Sequence, residues 1–162
     1  MKMEKSFEQM ILDWEDSFGN MVTIHDNNYN IIAANSSAKK LLKTSSAEIL
    51  KKKCYENYHG SNTPPKECPS CDCLKSGKPS IVEIFEPHLN MHLEIKALPL
   101  FNSDNSTKGV IHIVKDITIH KKMENEILYR MKELEAFYDM AINRELKMAE
   151  LKMENEKLRN NN

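Results

Sequence analysis

Three of the four cysteines of this 162-residue chain fall within ECPSCDC, Glu67–Cys73, and the fourth, Cys54, opens the nearby CYENYHG. Four cysteines and a histidine share 20 residues, with no cysteine elsewhere. The C-x-x-C spacing of Cys68 and Cys71 lets two thiolates chelate one ion, with Pro69 and Ser70 turning the chain between them. A tetrahedral zinc site needs two further ligands, and Cys54 and His59 are placed to supply them. Exchanging His59 for Cys73 gives four thiolates, which suit zinc or an iron–sulfur cluster. A closed zinc shell would pin a segment poor in apolar residues. A cluster would confer redox or oxygen sensing. Without metal, the thiols would form reversible disulfides.

Other chemistries find less in the residues. Covalent haem attachment needs C-x-x-C-H, and Asp72 follows Cys71. Noncovalent haem on His59 or another pocket ligand stays open. His88 and His92, flanking a strand start, read as surface residues or as pocket lining. No glycine-rich phosphate loop is present in a chain with four glycines. Nothing places a nucleophile, a base and an oxyanion site together, so the expectation is a protein that is not an enzyme.

The chain is 40% hydrophobic and 29% charged, enough for one modest core plus an appendage. Its net charge of -1 gives no reason to expect nucleic acid or an anionic membrane surface. The acidic N-terminal stretch does not read as a signal peptide, and no apolar run nears the roughly 20 residues of a membrane span. A cytoplasmic location follows as an expectation. There, clustered cysteines more often bind metal or do redox work than form structural disulfides.

Three parts must position the cysteines: an N-terminal helix within 1–19, a domain over 20–119 and a long helix over 120–162. Phe7, Met10, Ile11 and Trp14 recur at helical spacing over 4–17. Two strand-like runs, Val22–His25 and Asn30–Ala34, flank an Asp-Asn-Asn turn. Asn35 and Ser36 would cap a helix over Ser37–Leu42, and Ser45 with Glu48 has capping-box spacing. Cys54–Lys78 reads as loop-like. Three more strands follow at Ser80–Phe85, Asn90–Leu98 and Gly109–Asp116. In the middle one, Met91, Leu93 and Ile95 alternate with His92, Glu94 and Lys96, as on a sheet with one covered face. The predicted class is α+β, a five-stranded antiparallel sheet with short helices on one face.

Beyond residue 120, Gly and Pro vanish. Ile127, Leu134, Ala141, Met148 and Asn155 fall on one heptad stripe. Phe137, Leu151 and Leu158 share the second with Arg130 and Arg144. Asn155 at an a position is the kind of polar residue that fixes register in a parallel dimer. A coiled-coil homodimer is expected.

GVIHIVKDITIHKKMENEI, Gly109–Ile127, resembles the closing strand of a PAS sensor domain and the start of its signalling helix. IHDNNYNIIAAN resembles the family's opening hairpin, LEIKALPLFN its fourth strand, and ELKMAELKMENEKL the coiled-coil connectors leading to histidine kinase or cyclase outputs. The resemblance implies a five-stranded antiparallel sheet cupping a pocket closed by short helices. It also implies that Asp116 and Thr118 pass strain from sheet to helix. Cys54, His59, Cys68 and Cys71 match a subgroup that carries Cys-Tyr-x-x-x-His-Gly and Cys-Pro-x-Cys in its helical segment. Cys73 has no counterpart there. The Asn-Cys-Arg-Phe of the flavin-binding branch is absent.

The expected function is a sensory signal-transduction module in which a Cys/His metal loop reports redox, metal or small-ligand state through the coiled coil, as in two-component systems. No phosphoacceptor histidine lies on the distal helix, so the output domain or kinase would lie outside this sequence. The rival expectation is a dimerisation or docking module whose zinc only staples the loop.

Overall fold

A computed structural model describes residues 6–43, 45–66 and 68–160, with the side chains of Phe7 and Ser46 left aside. The start of the expected N-terminal helix, including residues 4 and 5, lies outside the described residues. The chain divides into two compact units, Met1–Thr118 and Ile119–Asn162.

The first unit opens with α1 (Phe7–Ser17), capped by Ser6, whose hydroxyl accepts the Gln9 amide at 3.2 Å. Strands β1 (Met21–Asp26) and β2 (Ile31–Ala34) follow as a hairpin. Asp26 closes its turn, accepting the backbone amides of Asn28 at 2.8 Å and Asn30 at 2.9 Å. Asn35 then caps α2 (Ser36–Leu41), accepting from Ala38 at 2.9 Å and from Val22 at 3.0 Å, which fixes the helix to β1. Ser45 and Glu48 make the reciprocal bonds of a capping box around α3 (Ser46–Ile49).

The segment expected as loop carries two helices, α4 (Cys54–His59) and α5 (Pro69–Ser76). Their apolar content is too low to show a helical period, but the stop and start signals are present. Gly60 and Gly77 end them in the left-handed conformation, and Pro69 sits in the first turn of α5.

Strands β3 (Ser80–Glu86), β4 (Met91–Phe101) and β5 (Thr107–Asp116) complete a five-stranded sheet in the order β2-β1-β5-β4-β3, with every pairing antiparallel. The PAS-like α+β architecture is as expected.

The two faces of the sheet differ. Met21, Leu93, Ile95 and Val114 pack with Ile31, Ala38, Ile49 and Tyr58 under the short helices. Each of the buried Met, Leu, Ile and Val side chains contributes about 1.5–3 kcal/mol by leaving water. On the opposite face Leu12 of α1 packs with Val22, Ile24 and Ile111. The apolar stripe read for α1 is not its buried one: Met10 and Trp14 are exposed, while Leu12 and Glu15 are buried. Glu15 is held by the Asn20 side-chain amide at 2.7 Å, so its polar end is satisfied.

The second unit is the rest of helix α6 (Thr118–Asn160). It carries i,i+3 ion pairs at Lys121–Glu124, Arg130–Glu133 and Lys147–Glu150. Ile127, Leu134, Phe137, Met148, Leu151 and Leu158 are all exposed along it. Among the described residues no helix is long and apolar enough to cross a membrane.

Candidate functional site

The hairpin turn positions α4. Tyr29, at φ 64°, offers its carbonyl to the Cys54 amide at 3.0 Å. Lys53 reaches back to the Asn28 carbonyl and the Asn30 side chain, each at 2.8 Å. Cys54 therefore starts its helix directly against the turn.

Cys68 caps α5, and Cys71 lies three residues into the same turn. All four cysteines are buried and none is in a disulfide. Cys54, Cys68 and Cys71 stand near enough to raise one another's or the Tyr29 phenol's titration, though not at metal-ligand spacing. Burial pushes the Cys54 thiol up to about 12, and the Cys68 and Cys71 sulfurs add to the rise. Cys68 is raised to about 11, again by burial first, with the Cys71 amide opposing and the Cys71 sulfur adding. Tyr29 joins them: bonding to the Cys71 sulfur, then burial and the three nearby sulfurs, lifts its phenol to about 12.

Cys73 stands apart. At about 100° per residue, a position two beyond Cys71 lies on nearly the opposite side of the helix. Cys73 is fully buried against Ala97 and Val110 of the sheet, and burial alone raises its thiol to about 11.

His59 ends α4. Its Nδ1 is hydrogen-bonded to a carboxylate oxygen of Glu86, the last residue of β3. The second Glu86 oxygen accepts the His88 amide at 2.9 Å. The His88 ring covers Gly60, where a Cβ would stand 2.6 Å from its Nδ1, so that position needs glycine for space as well as for its φ of +58°. His59, Glu86, His88, Lys66 and Cys68 share the walls of a cleft of about 610 Å³ with several prolines. The cleft thus joins His59 to one of the three clustered thiols. Among the described residues no three His, Cys, Asp or Glu side chains stand at metal-ligand spacing.

Behind His59 lies a buried polar group that sequence reasoning missed. His25 and His112 are buried on neighbouring strands, with ring centroids 5.1 Å apart. Thr23 Oγ1 lies 2.7 Å from His25 Nε2 and 3.3 Å from the Tyr58 hydroxyl, and Tyr58 packs edge-on against His112 at 4.9 Å. Both Nδ1 atoms lack a hydrogen-bond partner. Burial lowers His25 to about 3, and burial with His25 and His59 nearby holds His112 well below the usual histidine range. The clue was strand alternation: Thr23 and His25 share a face with Met21, and His112 with Val110 and Val114.

At the end of the sheet where Glu86 lies, Asp116 Oδ1 accepts the Thr118 amide at 2.8 Å, and the Thr118 hydroxyl accepts the His92 amide at 2.9 Å. The Ile117 amide donates to the His92 carbonyl at 2.9 Å. His92 thus clamps the strand-to-helix junction with both backbone groups.

The family model for the PAS domain matches residues 19–118, ending where the compact first unit ends. The chain belongs to the PAS domain family. Its sheet order and helical cover match solved PAS domains of low sequence identity. The PAS domain of the fruit-fly ELK potassium channel is 15% identical at a TM-score of 0.52, covering 70% of this chain and 99% of that one. The PAS domain of nitrogen regulation protein NR(II) from Vibrio parahaemolyticus is 16% identical at a TM-score of 0.52, covering 70% and 100%. A sensory box sensor histidine kinase from Vibrio cholerae is 17% identical at a TM-score of 0.52, covering 68% and 91%. No curated protein sequence matches this PAS chain.

Proposed function

We propose that this PAS domain is a non-enzymatic sensory module that holds a metal ion at Cys54, Cys68 and Cys71, completed by His59 or Cys73. It relays the state of that site through Asp116 and Thr118 to helix α6. The observation that carries the reading is the gathering of three thiols from two helices around Tyr29. Three soft sulfurs with an imidazole suit zinc, and four sulfurs suit zinc or an iron–sulfur cluster. Zinc, once bound, supplies a fixed crosslink between α4 and α5. The protein's own part is to bring thiolates from both helices to one place and to keep water from them. Helix α6 pairs with a second copy as a parallel coiled coil, through Ile127, Leu134, Phe137, Ala141, Met148, Leu151, Asn155 and Leu158. Its output is a histidine kinase or cyclase, consistent with the sensor histidine kinase whose fold it shares.

The burial of all four cysteines favours a second reading, a dimerisation module whose zinc only staples α4 to α5. Amide exchange at Asp116–Ile119, compared with and without bound zinc, separates the two. Altered protection there supports sensing, and unchanged protection supports the staple.

A further inference from the structure

We propose that the outer edge of β3 is a docking site for an extended segment of a partner protein. The segment adds to the sheet as a sixth strand and brings an acidic side chain to Lys66.

Strand β3 stands last in the sheet order and pairs on one side only, with β4. In an antiparallel ladder, alternate residues turn both backbone groups to the partner strand, and the residues between turn theirs away. Among the described residues, no backbone group outside the sheet bonds Ile81, Val82, Ile84 or Phe85. The edge also lacks the usual protections against pairing. It runs seven residues in unbroken register, with no proline, lysine or bulge inside it. Ile81 and Phe85 are exposed on the face opposite Val82 and Ile84.

A cleft of about 610 Å³ follows this edge. Ile84, Phe85 and Glu86 all line it, although consecutive strand residues point to opposite faces. A cleft that meets both faces lies along the edge, where the backbone is open. Its far wall includes Thr63, Pro64, Pro65, Lys66 and Pro69. Proline has no backbone N–H, which keeps this wall from zipping onto β3 itself.

The open groups are backbone donors and acceptors at strand spacing, and another extended chain matches them along their length. A second copy of β3 is a poorer match. Laid antiparallel in full overlap, it sets Glu83, the middle residue, against Glu83, like charge on like. Charge defines the partner's polar side. Lys66 makes no hydrogen bond or ion pair with a described residue. The one carboxylate lining the cleft among the described residues, Glu86, has both oxygens engaged, by His59 and by the His88 amide. The cleft therefore favours an acid. Side chains of the added strand alternate, so those beside Ile81 and Phe85 are apolar and those turned into the cleft include the acid. This contact is separate from the α6 seam and does not depend on what the cysteines hold.

The test uses the full chain and, as probe, a capped heptapeptide that alternates valine with aspartate, followed by amide shifts and amide exchange. In the free chain, the outward amides of β3 exchange quickly. The peptide slows them and shifts the signals of Ile81, Val82, Ile84 and Phe85. The same peptide methylated at its backbone nitrogens binds about tenfold more weakly or worse, because its donors are gone. K66E weakens the aspartate peptide about 2- to 5-fold and strengthens a valine–lysine version. Equal affinity of the methylated and unmethylated peptides, or no binding at millimolar peptide, would overturn the proposal. So would outward β3 amides whose protection in the peptide-free chain rises with protein concentration, because a second copy would then hold the edge.

Discussion

The backbone of His92 holds the strand-to-helix junction twice, donating to the Thr118 hydroxyl at 2.9 Å and accepting from the Ile117 amide at 2.9 Å. Asp116 adds a third bond, to the Thr118 amide at 2.8 Å. T118V is isosteric but leaves the His92 amide without its acceptor, at a cost of about 1–3 kcal/mol. D116A removes a cap-like bond, at about 1 kcal/mol. T118S retains the acceptor and most of the stability. Urea unfolding of the three variants checks the order, and equal stability of T118V and T118S would contradict it.

The buried histidine pair predicts loss of stability in acid. Both rings are neutral in the fold, with His25 lowered to about 3 against an ordinary value of 6.5. His112 is lowered in the same direction. In the unfolded chain both take up protons as pH falls below 6.5, while the fold resists. The His25 contribution is complete above 6.5 and declines from there toward 3, by about 1.4 kcal/mol per pH unit, and His112 acts in the same direction. H112Q should flatten the profile between pH 7 and pH 5 relative to the unsubstituted protein. Denaturant midpoints across that range measure it, and parallel profiles would count against neutral buried rings.

The thiols titrate in the opposite sense. Without metal, Cys54 at about 12 and Cys68 at about 11 stay protonated in the fold after the unfolded thiols, near 9.0, have ionised. The stability they contribute is complete below that unfolded value and is lost as pH rises through the folded ones. Zinc must displace these protons, so its apparent affinity climbs about tenfold per pH unit for each proton released near neutrality. Chelator competition at two pH values reads the slope, and a flat result would mean that these thiols are not ligands.

Helix α6 leaves Leu134 of the first heptad stripe and Phe137, Leu151 and Leu158 of the second exposed. If those stripes form a coiled-coil seam, L134E with L151E converts a dimer to a monomer at micromolar concentration. N155L strengthens association while relaxing the register. Sedimentation equilibrium decides, and a monomeric unsubstituted protein with an intact helix would remove the dimer from the account.

Much of the fold was legible because its signals are local. The alternation in Met91–Lys96, the Asp26 turn, the Asn35 cap and the Ser45–Glu48 box act within a few residues. The helices at Cys54 and Pro69 were harder to see. They are short and draw on cysteine, tyrosine and serine rather than an apolar stripe, so only Pro69, Gly60 and Gly77 announced them. Missing them left Cys73 open as the alternative to His59, although helical geometry sends its sulfur away from that of Cys71. Glu86 meets His59 only because β3 lies under the end of α4, and no spacing rule joins residues on separate elements.

Metal analysis with thiol titration, on the full chain purified without oxygen, tests the central claim most directly. The account predicts about one zinc per chain, with Cys54, Cys68 and Cys71 protected from thiol reagents until the metal is chelated. A metal-free protein whose four thiols all titrate at once in the folded state would contradict it.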